Sequence, residues 1–251
     1  MRARRLVAVA SVAVGLVALS GCRTEPGVAA YVGDHRITED AVTAVLDDAR
    51  AKNPAPTAAP ENGQPPQQPV LPGRSQVVTT LVLAEVCERV SAEEGYQPQG
   101  QAPPGQIAQR FGLSPETDYV QLLADLGTCL SGIPAGQPVE PTPQELADLV
   151  AAGKRASPEL AAQPDEAVAR QLDVPTLRNA LGSRDSLAAV VERYDVTVNP
   201  RYRPLEYPLL NLTVDIPAVT VPLGEPASDV VTDVSTPDPL PAGRGTGPTD
   251  G

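Results

Sequence analysis

The residues able to do chemistry in this 251-residue chain are few: three cysteines (Cys22, Cys87, Cys129), one histidine (His35) and neighbouring acids such as Asp47-Asp48 and Glu93-Glu94. A cysteine beside a histidine could act as a nucleophile, cysteines and histidines at close spacing could hold zinc, and a carboxylate pair could share acid and base roles. None of these combinations forms at short range. His35 follows Gly33-Asp34 in what reads as a tight turn, where a lone histidine is an exposed polar residue. Asp47 and Asp48 are adjacent on a helical pattern and so do not face each other, and Glu93-Glu94 falls near a helix end. Glycine-rich phosphate loops, nucleophile elbows and metal-ligand spacings are missing from the sequence. The expectation is a binding protein with no catalytic residue, no metal ligand and no cofactor.

Cys22 is the most specific signal. Arg2, Arg4 and Arg5 precede an apolar run from Leu6 to Val17 that is short for a stable membrane span. This is the build of a secretory signal. It ends in Leu19-Ser20-Gly21-Cys22, which resembles a bacterial lipobox, in which the cysteine thiol receives diacylglycerol and the preceding bond is cut. The resemblance implies a signal peptide over residues 1–21, a tether over 22–27 and a lipid anchor at Cys22. The chain would then sit on the outer face of the cytoplasmic membrane. Removing Met1–Gly21 takes away three arginines and no acid, which moves the formal charge from −12 to −15. No basic run is visible, so nucleic acid is not an expected partner and membrane attachment is expected to come from the lipid, two chains of which hold firmly.

Composition separates core from solvated chain. The stretch Asn53–Gly73 is rich in Pro, Gln and Ala, and the tail 224–251 is similar, so neither can bury enough apolar surface to offset its ordering entropy. With no tryptophan and one phenylalanine, the core must be built from Leu, Val and Ala, which suits packed helices. In an exported chain, Cys87 and Cys129 are expected to form a disulfide between two helices, since neither has nearby metal ligands or an activating base.

Val28–Val32, a Gly33-Asp34 turn and His35–Ile37 read as a β-hairpin, followed by a helix capped at Thr38 with Glu39 and Asp40 in its first turn. A second helix runs from about Ser75 to Glu94 and, being apolar on most sides, is placed at the centre. Gln106–Phe111 is a short helical piece, and Ser114-Pro115-Glu116 and Thr142-Pro143-Gln144-Glu145 are helix starts. Ser157–Tyr194 breaks into short pieces at Pro158, Pro164 and Pro175, the last of them spanning Ser183–Tyr194. Residues 203–223 alternate apolar and polar between prolines and read as edge strands or an extended C-terminal arm.

Hairpin, acid-capped helix, long central helix, further helices and a closing "VTVNPRY" at Val196–Tyr202 resemble the N-terminal chaperone domain of the SurA and PrsA group of extracytoplasmic foldases, in lipoprotein form. Val28–Leu46 carries the resemblance, with weaker matches at Gly112–Leu123 and Pro141–Val150. It implies a mainly α, SurA-N-like domain over residues 28–202 with a Pro-rich insertion at 53–73. Unfolded or extended polypeptides would be its partners. The family's isomerase domains rely on a histidine pair, and His35 stands alone, so isomerase activity is not expected. The cleft is expected between the second and fourth helical segments, at Leu81, Leu83, Val86, Tyr119, Leu122 and Leu126. The alternative reading is an envelope lipoprotein dedicated to one partner. A small-molecule receptor or a hydrolase forms a third class.

Overall fold

The computed structural model describes residues 25–54, 69–213 and 216–225. The expected signal peptide, Cys22, the middle of the Pro-rich insertion and the tail beyond Glu225 lie outside the described residues. The fold is mainly α, with a small N-terminal antiparallel hairpin and C-terminal strands. The elements are β1 (Val28–Val32), β2 (His35–Thr38), α1 (Glu39–Lys52), α2 (Arg74–Glu94), α3 (Pro104–Phe111), α4 (Asp118–Leu130), α5 (Pro143–Ala156), α6 (Pro158–Ala161), α7 (Asp165–Leu172), α8 (Pro175–Glu192), β3 (Val196–Val198), a 3-10 turn (Pro200–Tyr202), β4 (Glu206–Thr213) and β5 (Ile216–Pro222).

β1 is the centre strand of a three-stranded sheet in the order β2-β1-β3, antiparallel throughout. All five β1 residues are buried, as a strand with a partner on each edge requires, and Gly33 turns the hairpin at φ +58°. β3 arrives from the far end of the chain, so Val196–Val198 closes a unit that Val28 opens. The Asn199 side chain bonds the Val28 carbonyl at 3.0 Å and fixes that closure.

α2 is the central helix, with Val77, Val78, Val82, Leu83, Val86, Cys87 and Val90 fully buried. It starts after Gly73 and stops at Gly95, whose φ of +69° is the left-handed conformation that glycine adopts without a Cβ penalty. α4 lies along it, and Cys87 and Cys129 are bonded with their Cα atoms 6.2 Å apart. Thr142 and Glu145 form the reciprocal cap of α5, with the Thr142 N–H 2.8 Å from the Glu145 carboxylate.

Two expectations are corrected and one choice is decided. α4 begins at Asp118, not at Ser114-Pro115-Glu116: residues 114–117 form a turn closed by the Thr117 N–H on the Ser114 carbonyl, and the Asp118 N–H goes to Asp48 of α1 at 2.8 Å. α8 is one helix from Pro175 to Glu192, where the sequence reading began at Ser183. Gly182 does not break it because the glycine is there for close packing: a Cβ on Gly182 would lie 2.1 Å from the Gln137 carbonyl oxygen. Of the two readings of residues 203–223, strands and an extended arm, the structure shows the strands. β4 and β5 pair antiparallel with register irregularities, and the hairpin folds back against α8 and α5. Its Val219 joins Leu149, Leu177 and Leu181 in a second, smaller core cluster, while Val221 and Leu223 enter the main one.

Candidate functional site

The residues expected to frame a cleft are instead the seam between α2 and α4. Leu83, Val86, Tyr119 and Leu126 are buried in the main core, and Leu81 and Leu122 are half-buried against it. The two apolar faces satisfy each other, and the disulfide joins the helices across the same seam. No cleft opens there.

An opening does form one turn beyond. A cavity of about 310 Å³ lies where the end of α4, the α4–α5 connection, α8 and β4 meet, lined by Leu130, Ile133, Pro134, Ala135, Leu187 and Leu209 with Gln99, Ser131 and Ser183 between them. Local chemistry explains why the walls are held. The Ser131 hydroxyl donates to the Thr128 carbonyl at 2.6 Å and accepts from the backbone N–H groups of Gln99 and Gly100, which pulls the 97–102 loop onto the end of α4. Gly132 allows that approach, since a Cβ there would stand 2.9 Å from the Gln97 carbonyl oxygen. The opposite wall is fastened by the Ser186 hydroxyl on the Pro134 carbonyl at 2.8 Å. Arg184 of α8 reaches the Glu145 carboxylate at the start of α5 at 2.5 Å.

The lining contains no ionisable side chain. Such a surface binds by apolar burial and orients by a few neutral hydrogen-bonding groups, here two serine hydroxyls and one glutamine amide. Its volume has room for about two large aliphatic side chains, at the low end of the roughly 300–1,000 Å³ usual for ligand pockets. Leu130 and Leu187 were legible as inward residues of helices. Ile133, isolated among Gly and Pro in "SGIPAG", was the overlooked signal, and Leu209 on the folded-back hairpin had none.

The other polar candidates have structural partners. His35 is 49% exposed, with its Nε2 3.7 Å from Glu85, whose carboxylate also holds Arg89 at 2.6 Å. Asp47 pairs with Arg50 and Asp48 with Lys52, each at 2.7 Å, so the adjacent acids diverge as helix geometry requires. Glu93 accepts the Tyr194 hydroxyl at 2.8 Å, and burial together with that carboxylate pushes the phenol up to about 12. Glu94 pairs with Arg193 at 2.7 Å.

Glu39 has the densest polar environment. Its side chain is 14% exposed and receives Arg74 at 2.9 Å, the Tyr202 hydroxyl at 2.9 Å and Arg201. Burial opposes ionisation of Glu39, but the hydrogen bonds from Arg74, Tyr202 and Arg201 outweigh it and hold the carboxyl below its usual range. This cluster ties the starts of α1 and α2 to the 3-10 turn. A second cavity of about 280 Å³ between α8, β3 and the end of β5 includes Glu192, Asp195 and Glu225 in its lining. Among the described residues no group of three or more His, Cys, Asp or Glu side chains is placed to hold a metal ion, and no helix is long and apolar enough to cross a membrane. Comparison of the chain with protein-family models, with curated proteins and with solved structures gave no match.

Proposed function

We propose that this chain is a lipid-anchored extracytoplasmic protein of chaperone type, which holds apolar segments of unfolded or partly folded secreted polypeptides without isomerising them. The observation that carries the reading is the apolar, charge-free groove of about 310 Å³ between α4, α8 and β4, opened by a loop whose Pro134 and Ala135 are exposed. The lipobox at Cys22 supplies the address, and the resemblance of Val28–Leu46 to the SurA and PrsA group supplies the class of client. A groove with room for about two side chains gives weak affinity and little sequence preference, because area alone converts poorly into binding energy. Those are the properties of a holder of unfolded chains.

The test uses residues 23–251, oxidised, titrated into several unrelated unfolded proteins while aggregation is followed by light scattering. Suppression of most clients at near-stoichiometric ratios, abolished by Ala135→Arg, is the expected result. Ala135 is exposed, so the arginine fills the mouth without entering the core. Failure of the wild-type chain to protect any client, or equal protection by the variant, would overturn the reading. The small size of the groove also suits one dedicated envelope partner, and capture of a single partner with no general protection would establish that alternative.

A further inference from the structure

We propose that the end of the fold where the chain enters from Cys22 is a docking surface for the anionic phospholipid headgroups of the membrane that carries the anchor. The inference rests on the lipid-anchored reading, and the experiment below is arranged so that the two can fail separately. Sequence reading finds no basic run; the fold brings three arginines from distant segments to one end. Arg36 of β2, Arg74 at the start of α2 and Arg201 in the 3-10 turn are separated widely in sequence. They converge because Glu39 binds Arg74 and Arg201, the Glu39 N–H bonds the Gly27 carbonyl at 2.8 Å, and Arg36 reaches Glu25 at 3.3 Å.

The guanidinium-bearing side chains are open to solvent: Arg36 is 59% exposed, Arg74 45% and Arg201 53%. Their local acids are Glu25, Glu39 and Asp40. Three cations therefore balance three anions at this end, on a chain whose formal charge from Cys22 onward is −15. An anionic leaflet repels the body and admits this end first. The acids do not saturate the arginines. Each guanidinium has five N–H donors; Arg74 and Arg201 share the one Glu39 carboxylate, which also takes the Tyr202 hydroxyl, and Arg74 further bonds the Thr43 hydroxyl at 3.0 Å and the Tyr202 hydroxyl at 3.5 Å. The Arg36–Glu25 pair is exposed on both sides, so a phosphate can displace the carboxylate at little cost.

Two further observations select a lipid surface. Val70 and Leu71, 63% and 39% exposed, are two of the three large hydrophobic residues exposed among the described ones, and they lie within four residues of Arg74. Exposed aliphatic side chains a few residues from an arginine suit the boundary between headgroups and acyl chains. Geometry forces the approach as well. The residues between Cys22 and Val28 span about 20 Å at most when fully extended, so a lipidated Cys22 holds this end at the leaflet. The groove stands away from it: Ser91, 3.4 Å from Cys129, the residue before groove-lining Leu130, is about 25 Å along α2 from Arg74 at 1.5 Å per residue. The client site would then face away from the membrane.

The test couples Cys22 of the chain 22–251 chemically to a maleimide lipid in vesicles, so native lipidation is not required; Cys87 and Cys129 are bonded to each other and do not compete. Backbone hydrogen exchange is compared on phosphatidylcholine vesicles and on vesicles that also contain phosphatidylglycerol. Slower exchange at residues 36–43, 70–76 and 199–203 on the anionic vesicles alone, reversed by molar salt, is expected. Each arginine near an anionic surface is worth about fivefold in the docked-to-free ratio, so the double variant Arg36→Gln, Arg201→Gln should lose about 25-fold. Its exchange on neutral vesicles reports whether it folds. Equal exchange on both vesicle types, or protection that persists in the double variant or in molar salt, would overturn the docking proposal while leaving the anchor reading intact. That reading fails separately if the membrane-associated native chain proves by mass spectrometry to carry no diacylglycerol on Cys22.

Discussion

Gly182→Ala is the sharpest test of the tertiary arrangement, because local and tertiary physics give it opposite signs. Gly182 lies inside α8, where alanine is favoured over glycine by about 1 kcal/mol from helix propensity alone. The α4–α5 connection, however, crosses directly over it. An added Cβ would stand 2.1 Å from the Gln137 carbonyl oxygen, 2.9 Å from its carbon and 3.2 Å from the Gly136 carbonyl oxygen. Backbone must move by more than 1 Å to restore ordinary contact, which places the cost near the upper end of the roughly 1–3 kcal/mol seen for overpacking. Subtracting the propensity gain leaves a net loss of about 2 kcal/mol. For a chain of this size that corresponds to a Tm about 4–8 °C lower. Differential scanning calorimetry of wild type and variant measures it. The displaced connection also carries Pro134 and Ala135, so the variant should lose client protection more steeply than stability. A raised Tm would refute the close approach of α8 and residues 136–137, and with it the wall of the groove.

Reducing the Cys87–Cys129 bond, or replacing both residues with alanine, releases a loop with a sequence separation of 42 and should cost up to about 4 kcal/mol by loop-closure entropy, read as a lower urea midpoint. Glu145 is held down to about 2 by the Arg184 guanidinium first and by the Thr142 hydroxyl and N–H next. Its depressed folded value means that the stabilisation is present above the unfolded value of 4.5 and disappears as pH falls through about 2. With partial solvent screening this amounts to about 1–2 kcal/mol, so Glu145→Gln should be less stable than wild type at neutral pH and equal to it near pH 2 in urea titrations. Asp48→Ala removes the acceptor for the Asp118 N–H at the start of α4 and should lower stability by about 1 kcal/mol, measurable by the same titration. No change in that variant would mean that the α1–α4 cap is not formed in solution.

Local signals in the sequence settled the elements whose cause is local. The Gly33 turn, the Thr38 cap, the Gly95 stop and the reciprocal Thr142–Glu145 cap are each decided within a few residues, by the φ a glycine permits or the reach of one side chain to a nearby N–H. The mainly helical class followed from the apolar spacing, and the pairing of Cys87 with Cys129 from the scarcity of alternatives. A lipobox-like motif needs no fold to be recognised, which is why the proposed address could be read from sequence while the groove could not. What sequence could not decide were choices between surfaces of equal chemistry. The apolar faces of α2 and α4 could have lined a cleft or closed on each other, and only packing shows that they closed. Residues 203–223 read as edge strands or an extended arm, and what sequence could not supply is that β4 and β5 pair with each other and gain burial against α8 and α5, a long-range reward invisible to any local pattern. Nothing local marks Gly182 as a packing position until the chain passing over it at Gln137 is known. The meeting of Arg74 and Arg201 at Glu39, and of Arg36 with Glu25 at the chain entry, has the same character: charges are written in the sequence, but which of them meet is a property of the fold.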